Sequence, residues 1–236
     1  MAYDEAAGNI VLFGGMTGSG VFLNDTWTWD GTTWTQQSPP VSPPARRFDI
    51  QEMTYDAATG TVVIFGGLKD SSLNVLGDTW TWDGTAKTWT QQFPASSPSP
   101  RRAPIAYDDA TGTVLLFGGD QPTTGAVFSD TWTWDGTAWT QQFPATAPFG
   151  RVDPGMAYDA SIRSVVLFGG QNRPVEYNDT WAWDGTNWAD LHPFSVPSVR
   201  YAASMDYDPL AKGLVLFGGF GINQTLNDTW LFIPFR

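Results

Sequence analysis

Five times along its 236 residues the chain writes one phrase: Tyr-Asp, an apolar run ending in Phe-Gly-Gly, then Asp-Thr-Trp. The phenylalanine of the doublet falls at Phe13, Phe65, Phe117, Phe168 and Phe217, at steps of 52, 52, 51 and 49 residues. The aspartate falls at Asp25, Asp78, Asp130, Asp179 and Asp228. A period near fifty means one supersecondary unit copied and stacked, because a single unit cannot bury its apolar faces without neighbours. It also sorts residues by role. A side chain present in every copy serves the architecture, and function belongs to what varies.

The second copy predicts four strands. Gln51–Tyr55 is the first and ends in Tyr-Asp. Asp56-Ala57-Ala58-Thr59-Gly60-Thr61 has the composition of a tight turn, with glycine free to take positive φ. Val62-Val63-Ile64-Phe65 is continuously apolar, so both of its faces are expected to be buried. After the loop Leu68–Gly77, Asp78-Thr79-Trp80-Thr81-Trp82-Asp83 alternates strictly, with the tryptophans on one side and the threonines on the other. Asp83-Gly84 signals a hairpin into Thr88-Trp89-Thr90-Gln91-Gln92. Each unit is then an antiparallel meander with two short turns at one end and two long connections at the other.

All 13 tryptophans keep this register, with Trp27, Trp29 and Trp34 in the first copy and Trp230 alone in the last, where Phe232 takes the second place. Aromatics repeated in step are what sheets packed about 10 Å apart require. These tryptophans are therefore expected between sheets. Four-stranded meanders repeated with glycine and aromatic marks are the cue for a β-propeller. The Phe-Gly-Gly doublet, Asp-Thr-Trp-Thr-Trp-Asp-Gly and the later single tryptophan (Trp34, Trp89, Trp139, Trp188) resemble the kelch repeat over essentially the whole chain. The resemblance implies an all-β fold, a five-bladed propeller of four-stranded meanders. Kelch propellers more often have six or seven blades. Kelch repeats often carry a histidine after the arginine before the first strand, and none stands there in this chain.

One domain over residues 1–236 is expected, with repeats at 1–46, 47–100, 101–150, 151–199 and 200–236. Met1–Asp4 reads as the second half of an innermost strand, and Trp230–Arg236 completes a third strand, with no fourth in the sequence. The last blade is thus expected to lack its outer strand. Three outcomes are open: a ring closed on a three-stranded blade, a piece of a longer chain, or a strand supplied by another molecule. An unpaired strand edge invites pairing, so self-association through Asn227–Phe232 is one expectation, which light scattering at high concentration tests.

The net charge of −12 argues against nucleic acid and against anionic membranes as partners. Of 24 acidic residues, 14 stand in repeat columns and read as turn and hydrogen-bonding groups. No apolar run reaches membrane-spanning length, and Met1 leads at once into a repeat, so no signal peptide is expected. The absence of cysteine removes disulfides and thiolate chemistry without fixing the compartment. Few lysines with much Thr, Gln and Trp favour an extracellular bacterial module over a cytoplasmic one.

Function is sought in the two sets of long connections, which strand parity brings to the same end of the ring. Arg46, Arg47, Arg101, Arg102, Arg151 and Arg200 are half of the 12 basic residues and precede innermost strands. A ring gathers them at the mouth of its channel. They read either as a site for an anionic ligand or as partners of aspartates in neighbouring blades, and the kelch resemblance favours the second. The candidate binding residues are Arg47, Arg102, Arg151, Arg200 and Glu52, with Arg173, Glu176 and Tyr177 from one loop.

The favoured role is non-enzymatic recognition of a protein or peptide through the loop-rich face. Carbohydrate binding or glycan cleavage at the channel mouth is the rival, with Phe22, Phe128, Phe149, Tyr177, Phe194 and Tyr201 as candidate platforms. A purely structural module of a larger surface protein is the third reading. Asp49, Glu52, Asp153 and Asp206 are the carboxylates that cleavage would use. A copper radical oxidase on a kelch-like propeller needs Tyr, His and Cys ligands, and this chain has no cysteine. A Ser-His-Asp hydrolase would have to use His192, a loop residue before Pro193. No phosphate loop, calcium-loop spacing or dinucleotide fingerprint is present, so no cofactor or metal is expected.

Overall fold

The computed structural model describes residues 1–233; the expected extension of the last strand to Arg236 lies outside the described residues. Five antiparallel meanders stand in a ring as a five-bladed β-propeller. The second blade is Met53–Asp56, Thr61–Phe65, Thr79–Asp83 and Thr88–Gln92, inner to outer. The first, third and fourth blades have the same four strands. Among the described residues the fifth has three: Ser204–Asp208, Gly213–Phe217 and Thr229–Phe232.

Local chemistry sets the turns. Asp56 Oδ1 accepts the Ala58 amide at 3.0 Å, and Asp83 Oδ1 accepts those of Thr85 and Ala86 at 2.9 and 2.8 Å. Each aspartate thus closes its hairpin from within. Val62, Val63, Ile64 and Phe65 are fully buried, as an apolar strand covered on both faces must be. The long connections hold something the sequence did not signal: two-residue hairpins pair Asp120–Gln121 with Ala126–Val127, Gln171–Asn172 with Val175–Glu176, and Phe220–Gly221 with Gln224–Thr225.

Blade packs on blade through one recurring contact. Trp89 lies edge-on to Phe13 at 5.1 Å, Trp139 to Phe65 at 5.4 Å, and Trp188 to Phe117 at 5.2 Å. The same three indoles donate to Thr26, Thr79 and Thr131 of the preceding blade at 2.9, 2.8 and 3.0 Å. Such aromatic pairs contribute about 1 kcal/mol beyond area burial, and the buried N–H is satisfied in the same step. The expectation of tryptophan between sheets holds along these junctions and is corrected at Trp34. That ring is 41% exposed, because its seat would be Phe217 and Thr229 of the fifth blade, and Phe217 is itself 53% exposed.

The glycine doublet answers a crowding problem. Gly66 and Gly67 have φ of 67° and 93°. A side chain on Gly66 would strike the carbonyl of Arg101 in the outgoing loop, and one on Gly67 would press on Phe48 and the Arg47 carbonyl of the incoming loop. The doublet is therefore where two inter-blade loops cross the strand end at backbone contact.

Those loops are held by a buried clip. Arg46 bonds through its backbone to the first blade, with its N–H on Leu23 O and its C=O on Gly15 N. Its side chain reaches into the second blade: Nη1 and Nη2 donate to Asp78 Oδ1 and Oδ2, each at 2.8 Å, and Nη1 also donates to Gly66 O. Asp78 Oδ2 accepts the Trp80 indole as well, at 2.7 Å. Arg101–Asp130, Arg151–Asp179 and Arg200–Asp228 repeat the bidentate pairing at the next three junctions. The four guanidiniums are at most 2% exposed. Burial works against ionisation of Asp78 and Asp179, but the hydrogen bonds and charge of Arg46 and Arg151 outweigh it and hold both below the usual carboxylate range. Arg200 and Trp230 hold Asp228 lower still. Since these folded values are depressed, the clip is fully engaged above pH 3.8 and is lost as pH falls through the lowered values.

Asp25 occupies the same column, and among the described residues the hydrogen bond to its carboxylate comes from the Trp27 indole, at 2.7 Å. Asp130→Ala strands a buried guanidinium and should destabilise the fold by about 3–5 kcal/mol. Asp25→Ala removes one hydrogen bond and should cost about 1 kcal/mol. Urea denaturation of the two variants measures the difference directly.

Candidate functional site

The clip divides the arginines that the sequence grouped together. Arg151 and Arg200, both candidate binding residues, align with Arg46 and Arg101 and are sealed inside, with their guanidinium groups committed to Asp179 and Asp228. Arg47 and Arg102 stand one residue further on, in the column of Val152 and Tyr201. Each member of that column forms an isolated bridge to the residue after the glycine doublet: Leu68, Asp120, Gln171 or Phe220. This column does not repeat its chemistry. Three of its members, Arg102, Val152 and Tyr201, line one cavity.

Arg102 is the hub of the mouth. Its Nε and Nη2 donate to Asp120 Oδ1 and Oδ2 at 2.8 and 2.7 Å, and its Nη1 donates to Asp49 Oδ2 at 2.5 Å. Arg47 Nε lies 2.9 Å from Asp49 Oδ1, so Asp49 joins the two arginines. Burial works against the charge on Arg102, but Asp120, Asp153 and Asp49 outweigh it and hold the guanidinium firmly ionised. Glu52 is fully buried, and among the described residues neither carboxyl oxygen has a well-formed hydrogen bond, the Ala103 backbone stabilising its charge only weakly. Burial pushes its acidity constant well above the ordinary value; Arg102 opposes the shift, and Asp49 and Asp153 add to it. Asp153, at φ 55°, is also raised, first by burial, and its Oδ1 is unpartnered. Two cavities meet this cluster. One of about 480 Å³ is bounded by Leu73, Arg102, Asp120, Asp153, Arg173 and Tyr201. The other, about 570 Å³, follows the channel past Met1, Phe48, Asp49, Pro154 and Asp206.

The single-loop candidates go to different places. Arg173 is exposed on the cavity rim, with Nε donating to Gln171 Oε1 at 3.3 Å. Glu176 lies in an adjoining hollow of about 340 Å³ with Tyr201 and Phe220, its Oε2 unpartnered. Tyr177 does something else: its ring lies 4.2 Å under the guanidinium of Arg151, as Phe128 lies 3.6 Å under Arg101. Both rings are parts of the clip, which removes two of the candidate carbohydrate platforms. Tyr201 stacks with Phe220 at 5.6 Å and 25°. Phe149 and Phe194 stand out on the surface, 76% and 93% exposed. His192 is exposed on the surface, 3.8 Å from Asp190, and lines none of these cavities. Sequence reasoning missed Asp120, the main partner of Arg102. The signal was present: the position after Phe-Gly-Gly reads Met16, Leu68, Asp120, Gln171 and Phe220, a variable column inside a constant frame.

Glu52 sets a test. Its raised folded value means that stability is lost as pH climbs above 4.5, where the unfolded chain ionises and the folded chain resists. Glu52→Gln should therefore stabilise the fold at pH 7 by about 1–3 kcal/mol. The gain should shrink as pH falls and vanish below 4.5. Urea midpoints across that range read the effect.

Comparison with known proteins agrees with this architecture. Residues 1–140 match the model of the KLHDC2/KLHL20/DRC7 Kelch-repeats domain. Adagio-like protein 3 of Oryza sativa subsp. japonica is 32% identical over 122 residues, 47% of this chain and 19% of the relative, so the chain spans about a fifth of that protein's length. The solved structure of YjhT superposes with a TM-score of 0.71 over 95% of this chain and 78% of that one, at 14% identity, a likeness of fold. With the family model covering more than half of its length, and the doublets, clips and tryptophan columns all in register, the chain belongs to the kelch-repeat family of β-propellers.

Proposed function

We propose that the chain is one propeller domain, a non-enzymatic interaction module that recognises a protein or peptide segment through its loop-rich face. The observation that carries this reading is the split between columns: the constant arginines are sealed in the clip, while the variable polar residues converge on the channel mouth. Arg102, Asp120, Asp153 and Arg173 line a cavity of about 480 Å³, and Asp49 ties Arg102 to Arg47, so the cluster is held in place without a partner. Preorganisation of this kind lowers the ordering cost of binding. The exposed Arg173 and the Asp120 carboxylate, both lining this cavity, suit the carbonyls and side-chain donors of a peptide. Membership of the kelch family and the partial match to Adagio-like protein 3 support an interaction role.

Panning a displayed peptide library on the protein tests this. Recovered peptides should bind about tenfold more weakly to Asp153→Asn and Arg173→Ala, and unchanged to His192→Ala, outside the cavity. Peptides that ignore both mouth substitutions would overturn the assignment. The stacked Tyr201–Phe220 pair, with Phe220 46% exposed beside the Glu176 hollow, favours a second reading in which the face binds carbohydrate. A glycan array on wild type and Phe220→Ala decides between them: signal lost on substitution supports the carbohydrate reading.

A further inference from the structure

We infer that the cavity of about 480 Å³ at the channel mouth takes a basic side chain, lysine or arginine, of the polypeptide partner, with the charged head at Asp153 and the alkyl stem along the apolar wall. This rests on the interaction reading of the loop-rich face and names the residue type that the face selects. The lining has two kinds of chemistry. Leu73, Pro122, Val127, Val152 and Tyr201 present carbon, and Leu73 is 43% exposed. Asp120 and Asp153 present carboxylate. A long side chain with an apolar stem and a cationic end matches that division, as neither an acid nor a plain aliphatic does.

The charges at the mouth do not balance. Asp49, Glu52, Asp120 and Asp153 act on one another there, and Arg102 and Arg47 answer them. Both guanidiniums are already engaged. Arg102 gives Nε and Nη2 to Asp120 and Nη1 to Asp49, and Arg47 Nε lies on Asp49 as well. Asp153 is left over. It lines the cavity, it is 8% exposed, and its Oδ1 has no hydrogen-bond partner among the described residues. Burial, Asp120 and Asp49 all work against its ionisation, and Arg102 opposes them from a distance. A buried carboxylate without a close cation is costly, and a cation brought to it removes that cost. Arg102 cannot turn to Asp153 without giving up its bidentate pair with Asp120, so the cation has to come from the partner.

Arg173 is the other cation on this cavity, and it does not fill that place. Its polar contact among the described residues is from Nε to Gln171 Oε1, at 3.3 Å, and the side chain is exposed. A guanidinium open to water suits the backbone carbonyls that any peptide offers. The two residues thus divide the work: Arg173 holds the main chain of the partner, and Asp153 reads the side chain. The same arrangement rejects acids. An acidic side chain entering the cavity meets Asp120 and Asp153, while the donors of Arg102 are occupied.

The probes are four pools of acetylated, amidated pentapeptides, immobilised and exposed to the labelled 236-residue protein. Their flanks are randomised over apolar residues, and the centre is lysine, arginine, glutamate or norleucine, which keeps an apolar stem and lacks the charge. The lysine and arginine pools should bind at least about tenfold more tightly than the norleucine pool, and the glutamate pool most weakly. The preference should persist in ~1 M salt, where the screening length is about 3 Å, because a buried pair is screened far less than a surface one. Asp153→Asn should reduce the preference to within about twofold. Arg173→Ala should weaken all pools together and leave their ratio unchanged. Equal binding of the norleucine pool overturns the inference. So does a preference that vanishes in salt or survives Asp153→Asn, since either marks general attraction to an acidic protein. The norleucine and salt arms decide even if Asp153→Asn fails to fold. Panned peptides that depend on Asp153 and Arg173 but carry no basic residue overturn this inference and leave the interaction reading standing; peptides that ignore both substitutions overturn that reading instead.

Discussion

The bidentate arginine–aspartate clip is the contact on which the ring depends. Each arginine belongs to two blades at once, its backbone to one and its guanidinium to the next. A buried guanidinium is tolerable only when its donors are satisfied and a carboxylate balances it. The propeller meets both conditions by placing the aspartate at the head of a strand, beside a tryptophan whose N–H takes the lone pair that the arginine leaves. The glycine doublet, the loop crossing and the aromatic beneath the guanidinium at two junctions are geometric consequences of bringing that arginine in at backbone distance. The constancy of Phe-Gly-Gly and Asp-Thr-Trp across the copies is therefore one constraint expressed in two phrases.

This division of labour also explains why the mouth of the channel can vary. Once a constant arginine holds each loop, the residue that follows it carries no structural duty beyond a backbone bridge. Arg47, Arg102, Val152 and Tyr201 show the result: two cations, an aliphatic and an aromatic at equivalent places. The polar cluster around Arg102 arises where Arg102 and Asp120 face each other across one such bridge and Asp49 reaches in from the second blade. Glu52 and Asp153, buried with unpartnered oxygens, are carried there at a cost in stability that the core elsewhere offsets. Such local conflicts concentrate at binding surfaces.

The fifth blade shows what happens when one member of the repeat departs from the pattern. Its third strand ends the paired sheet among the described residues, so Phe168 and Thr180 meet a groove where their counterparts meet an indole. On its other face Phe217, Thr229 and Leu231 remain open to solvent, and Trp34 of the first blade is exposed in step. These exposures are the complement of the contacts that bury Phe13, Phe65, Phe117, Trp89, Trp139 and Trp188.

Periodicity made much of this legible from the sequence. The number of blades, the strands of the second copy nearly to the residue and the double-sided burial of Val62–Phe65 all follow from local spacing. Hairpins and strand faces obey periods of two residues and short turn rules, and five copies average out error. Asp25, Asp78 and their equivalents were visible as a column, but their partners were not, because Arg46 and Asp78 are 32 residues apart and meet only when blades stack. Arg151 and Arg102 therefore looked alike in the sequence. Whether a guanidinium is buried against a carboxylate or turned to the mouth depends on a one-residue offset at a loop crossing, and that offset is set by packing between blades. The sequence determined the wheel and its repeat; tertiary structure alone decided which arginines are mortar and which face a ligand, since burial and charge pairing are properties of surfaces brought together from distant parts of the chain.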